Sequence, residues 1–388
     1  MKKKNRTAFI LGISMVASAL FAADDPVALR NEIDGLSKRL AALEKENETK
    51  TKKTDWTDKV KIKADLRYRF QYTGAEDLSG SNMTTKKSIQ RIRARFGIFS
   101  DITEFIHAGF GVRTGEKANS GNVTLGDHFN GFPMSVSLAY FDIAPEDAKY
   151  GTAHFGKMKQ PWKTSTDLIW DSDVNPGGMA YSYNKKISHT ALFTSIGYFR
   201  IEEEKTTHDL NLGTAQIGVK QPFGEKVKFT LGGSLYAYNN AKDFPDPVLP
   251  GNYPVEYRIL EGFSEIAFKE VLPIPFKLYG NYVNNTLADN ENTGYCFGIK
   301  FGDAKKGKWE AKYDYRDLEL HAAPAYFADS DFAEGGTGVR GHRIKGKYNF
   351  HKHLSTGIAL YFSERTPERT GSGTQKINTL MLDLIVKF

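Results

Sequence analysis

The sequence contains a single cysteine, Cys296, among its 388 residues. A lone cysteine cannot form an intrachain disulfide, so no disulfide framework is expected, and Cys296 is predicted to be a small packed residue on a strand. Outside an apolar run near the N-terminus, no segment approaches the about 18 consecutive apolar residues that a transmembrane helix requires. Membrane-spanning helices are therefore not expected.

The N-terminus has the pattern of a secretory signal peptide. Four basic residues precede an apolar run over residues 8–21, and alanines at 19, 22 and 23 offer cleavage sites. We expect residues 1–22 to be removed, because the apolar run is too short for a membrane anchor and polar sequence follows it. Loss of these four charges lowers the net charge from +7 to about +3, so the sequence gives no support for nucleic acid as a partner.

Aromatic residues make up 13% of the chain, with 19 tyrosines and 26 phenylalanines, and 36 glycines accompany them. Export, many aromatic residues and the lack of an apolar helix together favour a β-barrel in the outer membrane of a Gram-negative bacterium. The strands of such a barrel escape detection by hydropathy, because apolar and polar residues alternate along them.

Residues 23–58 are predicted to form a periplasmic helix followed by a linker. Over residues 26–46, apolar residues recur with the 4-3-4-3 spacing of a coiled coil. These residues are Leu29, Ile33, Leu36, Leu40 and Leu43. Because an isolated amphipathic helix of this length is only marginally stable in water, the stripe needs an apolar partner. A parallel coiled coil between protomers is the preferred interpretation; a lone helix packed against the barrel is the alternative.

Residues 59–388 show the alternation of transmembrane β-strands. Over residues 60–72 apolar and polar residues alternate almost perfectly, with Arg67 and Arg69 on the charged face. A lysine or arginine at the bilayer midplane costs about 2–4 kcal/mol, so this face must line water. The pattern predicts an all-β fold, a 16-stranded antiparallel transmembrane β-barrel with a short N-terminal coiled-coil helix. The predicted strands are 60–72, 89–99, 105–113, 135–143, 152–160, 178–184, 188–201, 209–221, 227–239, 256–269, 276–284, 294–302, 308–317, 340–350, 354–363 and 376–388.

The connections between these strands alternate in length. The first, 73–88, and the seventh long one, 318–339, contrast with tight turns such as 185–186 and 351–353. Outer-membrane barrels alternate long extracellular loops with short periplasmic turns in this way. A barrel of about this strand number encloses water rather than a packed core. A water-filled lumen lined by charges would conduct small hydrophilic solutes and ions.

The last predicted strand ends the chain on an aromatic residue. Leu380, Leu382 and Leu384 share one face, which suits contact with outer-membrane lipid. The ending resembles the C-terminal signal that the bacterial outer-membrane assembly machinery reads. Phe388 is therefore predicted to be an assembly signal.

A segment after the fifth strand carries the most specific pattern. It reads F-G-K-M-K-Q-P-W at 155–162 and T-D-L-I-W-D-S-D-V-N-P-G-G at 166–178. It resembles a family of Gram-negative putative porins, in which G-K-x-K-x-P-aromatic leads into a D-L-x-W-D-S-D-x-N-P loop; the rest of the chain matches that family only in pattern. The resemblance implies a homotrimeric porin whose third extracellular loop, predicted at 161–177, folds inward and narrows the pore.

Two sets of charged residues could face each other across that pore. Alternate positions on one strand are about 7 Å apart, so inward arginines form a positive stripe. The predicted basic lining is Arg67, Arg69, Arg91, Arg93, Arg95, Lys157 and Lys159, and the predicted constriction loop carries Trp162, Asp167, Trp170, Asp171 and Asp173. A transverse field between the sets would sort solutes by size and charge. Alternatively, the arginines pair with nearby carboxylates and the loop lies outside.

Signals for other chemistry are weak. His351 and His353 lie in a predicted turn with no third metal ligand nearby in the sequence, and no nucleophile-elbow motif occurs. We therefore expect no catalytic residue, no cofactor and no metal, and we favour a passive diffusion porin. The alternatives are a barrel that serves as a structural anchor through its helix and surface loops, an anion-selective specific channel, and a barrel enzyme.

Overall fold

The structure is a computed structural model, and the chain divides in it into two units, Met1–Val60 and Lys61–Phe388. The residues that it describes are 26–77, 84–145, 150–205, 208–249, 251, 253–269, 271–304 and 308–388. The predicted signal peptide, residues 1–22, lies outside them. Within the described part of the chain, no helix is long and apolar enough to cross a membrane.

The first unit contains one helix, α1, which spans Pro26–Asp58. It extends past the predicted stripe at 26–46 because residues 47–58, taken as a linker from the sequence, contain no glycine or proline that would stop it. The apolar side chains of Ile33, Leu36, Leu40 and Leu43 are 42–60% exposed. The pairing of this stripe between protomers remains a prediction.

The second unit is an antiparallel barrel of sixteen strands, which confirms the predicted fold class. The strands are β1 Val60–Asp77, β2 Thr84–Asp101, β3 Ile106–Thr114, β4 Met134–Ile143, β5 Thr152–Lys157, β6 Gly177–Ile187, β7 Thr190–Glu202, β8 Leu210–Phe223, β9 Val227–Asn239, β10 Arg258–Phe268, β11 Phe276–Asn285, β12 Thr293–Gly302, β13 Trp309–Leu318, β14 Val339–His351, β15 Leu354–Arg365 and β16 Gln375–Lys387. A further two-residue strand, Val123–Thr124, pairs with β2.

The ring closes where β1 pairs with β16. Tyr68 lies opposite Leu384 in this ladder. Phe388 extends it, since its N–H donates to the Ala64 carbonyl at 3.0 Å and its carbonyl accepts the Ala64 N–H at 2.9 Å. Closure matters because an unpaired strand edge cannot be satisfied in hydrocarbon.

The two faces of the strands differ as the alternation predicts. On β1 and β16 the apolar side chains of Leu66, Tyr68 and Leu384 are exposed on the outside of the single chain. Their neighbours Arg69 and Met381 are buried on the inside. The outer face is therefore the one that suits lipid.

Most strands begin or end a few residues from the predicted bounds; β6, for example, continues through the turn predicted at 185–186 to Ile187. Two further differences affect the loops. The long first connection predicted at 73–88 is wrong, because β1 continues to Asp77 and β2 resumes at Thr84. The ladder continues there through polar pairs such as Thr73–Thr379, so hydrophobic alternation no longer marks it. Strand β5 ends at Lys157 rather than at 160, which places Lys159 in the following loop.

Part of the barrel interior is packed rather than water-filled. The connections 115–133, 158–176 and 319–338 are called L2, L3 and L7 below. Residues of L3 and L7 form one buried apolar cluster with inward side chains of the strands. Its members include Trp162, Leu168, Trp170, Phe327 and Phe332. The buried thiol of Cys296 on β12 also belongs to this cluster, as expected for a packed residue.

Candidate functional site

Two tryptophans anchor L3. The rings of Trp162 and Trp170 lie 4.9 Å apart, and both lie within 5.6 Å of Tyr236 on β9. Trp170 also stacks on Phe327 of L7, with ring centroids 5.4 Å apart. Aromatic contacts of this kind add stabilisation beyond the area that they bury. They hold L3 against the wall on one side and against L7 on the other.

Hydrogen bonds fasten the same loop to distant strands. The Lys163 N–H donates to Gln216 Oε1 on β8, and Gln216 Nε2 donates back to the Lys163 carbonyl, both at 2.8 Å. Thr166 Oγ1 donates to Asn281 Oδ1 on β11, also at 2.8 Å. L3 connects β5 to β6. Its hydrogen bonds thus reach strands that are distant from both of these around the ring.

The acidic residue Asp167 reaches two buried arginines. Its carboxylate lies 2.7 Å from Arg316 Nη2 on β13 and 2.7 Å from Arg343 Nη1 on β14. Arg343 also binds Asp314 of β13 at 2.9 Å and Asp329 of L7 at 2.7 Å. These five residues are called the Arg343 cluster. Two loops are thereby tied to the same two strands.

Ion pairing explains how the Arg343 cluster tolerates burial, with Arg316 Nε as a buried donor that has no hydrogen-bond partner among the described residues. The Arg343 side chain is 0% exposed and that of Arg316 is 2% exposed. A buried charge costs several kcal/mol unless partners and hydrogen bonds compensate it. The planar guanidinium presents several donors in a fixed fork, and here carboxylates from a strand and from two loops occupy it. Sequence analysis did not include either arginine among the site residues, although both occupy inward positions of predicted strands.

The other end of L3 meets the predicted arginine ladder. Asp173 lies 3.1 Å from Arg95 Nη1 and 3.7 Å from Arg93 Nη1. Both arginines also bind Asp65 of β1, at 3.1 Å from Arg93 and 2.6 Å from Arg95. The predicted carboxylate and arginines are therefore in direct contact rather than facing each other across water. The sequence offered two alternatives, an inward loop that faces the arginines and arginines that pair with nearby carboxylates. Features of both occur, because Asp173 belongs to the loop and Asp65 is a carboxylate of the neighbouring strand.

The arginines of β1 bind L7 and L2. Arg69 donates to Asp383 of β16, with Nε 2.6 Å from Oδ1, and to Asp331 of L7 at 2.9 Å. Arg67 donates to Asn122 Oδ1 of L2 and lies 3.7 Å from Asp383. Asp331 and Asp383 were not among the predicted site residues. Asp383 lies opposite Arg69 in the ladder, so a prediction of the register between β1 and β16 could have identified this pair.

The remaining predicted basic residues lie outside these clusters. Arg91 of β2 donates from Nε to Thr124 Oγ1 of L2 at 3.3 Å. Lys157 ends β5, and Lys159 lies in L3. Neither lysine forms an ion pair with a described residue. The basic residues predicted to line the pore therefore do not form one group: four arginines bind carboxylates, Arg91 binds Thr124 of L2, and the two lysines form no ion pair with a described residue.

Asp171 connects L3 with L7 in a different way. Its N–H donates to the Phe327 carbonyl at 2.7 Å. Its carboxylate accepts the N–H groups of Asp173 at 2.8 Å and Ser330 at 3.1 Å. Burial, with the nearby carboxylates of Asp329 and Asp173, raises the pKa of Asp171 to about 8. Burial and the neighbouring carboxylates thus disfavour its ionised form, whereas the two N–H groups favour it.

Two cavities lie along the β1 side of the barrel interior. One, of about 280 Å³, has Arg67, Lys345 and Lys347 among its lining residues. The second, of about 500 Å³, is lined by residues that include Gln71 and Arg91. The lining residues common to both cavities are Asn122, Ser330 and Asp331. These three residues of L2 and L7 therefore stand between the two cavities.

Comparison with known proteins identifies similar barrels. Pseudomonas putida OprB, in a structure determined at high pH, has a TM-score of 0.57 at 8% identity, with 87% of this chain and 96% of that chain covered. Salmonella typhi OmpF, in a complex with daunomycin, has a TM-score of 0.52 at 9% identity, with 85% and 97% covered. At these identities the likeness concerns the fold alone. No curated protein matches the sequence.

The family comparison agrees with the fold. The model of a family described as putative porins matches residues 73–250 and 255–388, most of the chain. A porin family and a porin-like barrel together support channel function in an outer membrane. The chain belongs to the family of putative porins.

Proposed function

We propose that the protein is a passive diffusion porin for small hydrophilic solutes and ions, and that L3 folds into its lumen and narrows the channel. The observation that carries this proposal is the span of L3, whose contacts run from Gln216 on β8 to Arg343 on β14 and Arg95 on β2. A loop fastened to strands so far apart around a ring crosses the interior. The outer membrane of a Gram-negative bacterium is the proposed location.

The open path is proposed to follow the β1 side of the lumen, because the aromatic contacts of L3 with L7 and with the wall lie at β7 and β9. We place its narrowest level at the residues that line both cavities, Asn122, Ser330 and Asp331, with Arg67 bound to Asn122. Charged rings at a constriction select ions by charge as well as by size. L7 and L2 thus share with L3 the role that the sequence assigned to L3 alone.

The predicted constriction residues then have separate roles. Trp162 and Trp170 anchor the loop, and Asp167 and Asp173 fasten it to arginines. Asp171 joins it to L7. In this arrangement the acidic residues set the position of the loop and neutralise the wall, and the field in the channel depends on the charges that remain unpaired.

Recordings from purified protein in planar lipid bilayers test the proposal. Stepwise single-channel currents in potassium chloride support a diffusion channel, with a permeability that falls as the solute grows. A correctly folded barrel that stays silent at all voltages contradicts it, and would favour the anchor alternative.

Arg93→Ala tests whether the arginine ladder controls selectivity. Removal of this side chain leaves Asp65 and Asp173 with only Arg95 between them, so negative charge is uncovered in the lumen. We expect the reversal potential in a salt gradient to move toward that of a cation-selective channel. Arg200→Ala, at the exposed loop end of β7, is the matched control and should leave it unchanged. An equal reversal potential in wild type and Arg93→Ala would remove Arg93 from the conducting path.

The helix α1 is proposed to join protomers, with a homotrimer as the assembly that the family resemblance implies. Deletion of residues 26–46 is expected to loosen the oligomer on native gels after mild heating, while single-channel currents persist. Leu36→Glu with Leu40→Glu should act in the same direction, whereas Lys38→Ala, off the apolar stripe, should not. An oligomer that is equally heat-resistant without the helix would show that α1 does not hold protomers together.

A further inference from the structure

The carboxylates around the 280 Å³ cavity are already occupied. Each is ion-paired with an arginine or lysine of the wall. They are Asp167, Asp173, Glu310, Asp329, Asp331 and Asp383. Asp171 also lines this cavity, but two backbone N–H groups bind its carboxylate. The acidic side chains of the lining are therefore already bound by wall or backbone groups and are poorly available to bind a passing solute.

Two of the three lysines of the same lining are in the opposite situation. Lys345 and Lys347 occupy successive positions of β14 on the cavity side, about 7 Å apart. Neither forms an ion pair with a described residue, and the Lys345 ammonium group lies 5.6 Å from the ring centroid of Tyr361. Lys312 of β13 lies directly opposite Lys345 in the ladder. Lys312 pairs with Asp314 at 3.3 Å, whereas Lys345 gains nothing from its position opposite Lys312, because like charges directly opposite each other destabilise a sheet.

The wall beside these lysines is made of small residues. On β15, Gly357 lies opposite Lys347 and Ala359 lies opposite Lys345, and both line the cavity. Small side chains leave room next to the ammonium groups, where longer ones would fill the space. Arg67 of β1 also lines the cavity, and its distance to Asp383 is 3.7 Å. Cations from β1 and from β14 thus line one cavity that a small solute could occupy.

We propose that this cavity is an anion-binding subsite, in which Lys345 and Lys347, with Lys312 and Arg67 beside them, bind a small solute through a carboxylate or phosphate group. The proposal rests on the proposed channel function and adds the solute class. Ammonium and guanidinium groups make strong charge-assisted hydrogen bonds to such oxyanions. A volume of about 280 Å³ accommodates inorganic phosphate or a short dicarboxylate.

The test measures how added oxyanions reduce chloride current through single channels in planar bilayers. Inorganic phosphate and succinate are added separately to potassium chloride, and the concentration that halves the current is determined for each. The subsite predicts block of the wild type by at least one of them. The double variant Lys345→Gln/Lys347→Gln should weaken that block by about tenfold or more, since charge-assisted contacts are lost. Comparison of the two probes shows which oxyanion the subsite prefers.

Two controls make the result specific. Lys345→Arg/Lys347→Arg keeps the charges and should keep the block. Lys185→Gln/Lys186→Gln removes two exposed lysines near the end of β6 that do not line this cavity, and it should leave the block close to that of the wild type.

Equal block in the wild type and in Lys345→Gln/Lys347→Gln, or no block of the wild type by either probe, would overturn the subsite while the channel itself still conducts. Absence of any current would instead contradict the proposed function. The two failures are therefore distinguishable in one set of recordings.

Discussion

Arg343→Ala is expected to destabilise the barrel by about 3–5 kcal/mol, the range for removal of one partner from a buried ion pair. The substitution leaves Asp167 and Asp329 paired with Arg316 alone, and Asp314 paired with Arg316 and Lys312. The Arg343 side chain is fully buried, so water cannot readily replace the lost guanidinium. Release of L3 and L7 from β14 should follow, because Asp167 and Asp329 belong to these loops.

Urea unfolding of the barrel refolded in lipid vesicles measures this effect, with the fraction folded read from the gel shift of unheated samples. Arg340→Ala on the same strand is the matched control. Its side chain is 47% exposed and pairs with Glu364 near the strand end, so about 0.2–1 kcal/mol is expected. If Arg343→Ala does not fold, Arg343→Lys, which retains the charge without the fork, should give a folded barrel of lower stability. Equal stability of Arg343→Ala and Arg340→Ala would show that the cluster does not stabilise the fold.

Trp170→Ala is expected to raise single-channel conductance. Truncation of a buried tryptophan costs about 3–5 kcal/mol, and this ring contacts Trp162, Tyr236 and Phe327. The loss falls on the attachment of L3 to β9 and L7 rather than on the strand ladders. A loop freed on this side should move away from its present position and widen the path.

The measurement compares open-channel conductance and the size limit for neutral sugars in liposome swelling. Trp309→Ala is the matched control, because Trp309 begins β13 and its side chain is exposed. The control should conduct like the wild type. A Trp170→Ala channel with the conductance and size limit of the wild type would show that the tryptophan anchor does not set the width.

The barrel was predictable because its rules are local. Each strand must satisfy its backbone in the neighbouring ladders and must separate lipid-facing from inward residues, so alternation such as that of Leu66 with Arg67 appears directly in the sequence. The prediction failed for the first connection. There β1 continues past the alternating segment 60–72 to Asp77, and both faces of this extension carry polar side chains. There the ladder persists while the pattern that reveals it disappears.

The contacts of the site were less accessible to sequence analysis. Alternation places Arg343 on an inward face, but it does not identify the loop that folds onto it. Asp329 and Asp331 lie in L7, which has no periodicity to interpret. The path of L7 also depends on left-handed backbone at Ala333 and Glu334, with φ of 50° and 61°, which non-glycine residues rarely adopt. The acidic motif of L3 could be recognised, whereas its partners depend on the assembled ring.

The closing ladder between β1 and β16 also checks the alignment of the first and last strands. Asp65 lies opposite Lys387, and Arg69 lies opposite Asp383, so opposite charges meet at two separate levels. A slip of two residues in one direction would bring Arg67 against Lys387, and a slip in the other would place Asp65 and Arg69 against apolar partners. The charge pairs therefore favour one register when β16 pairs with β1. Because this register closes the ring, it also fixes the circumference of the barrel.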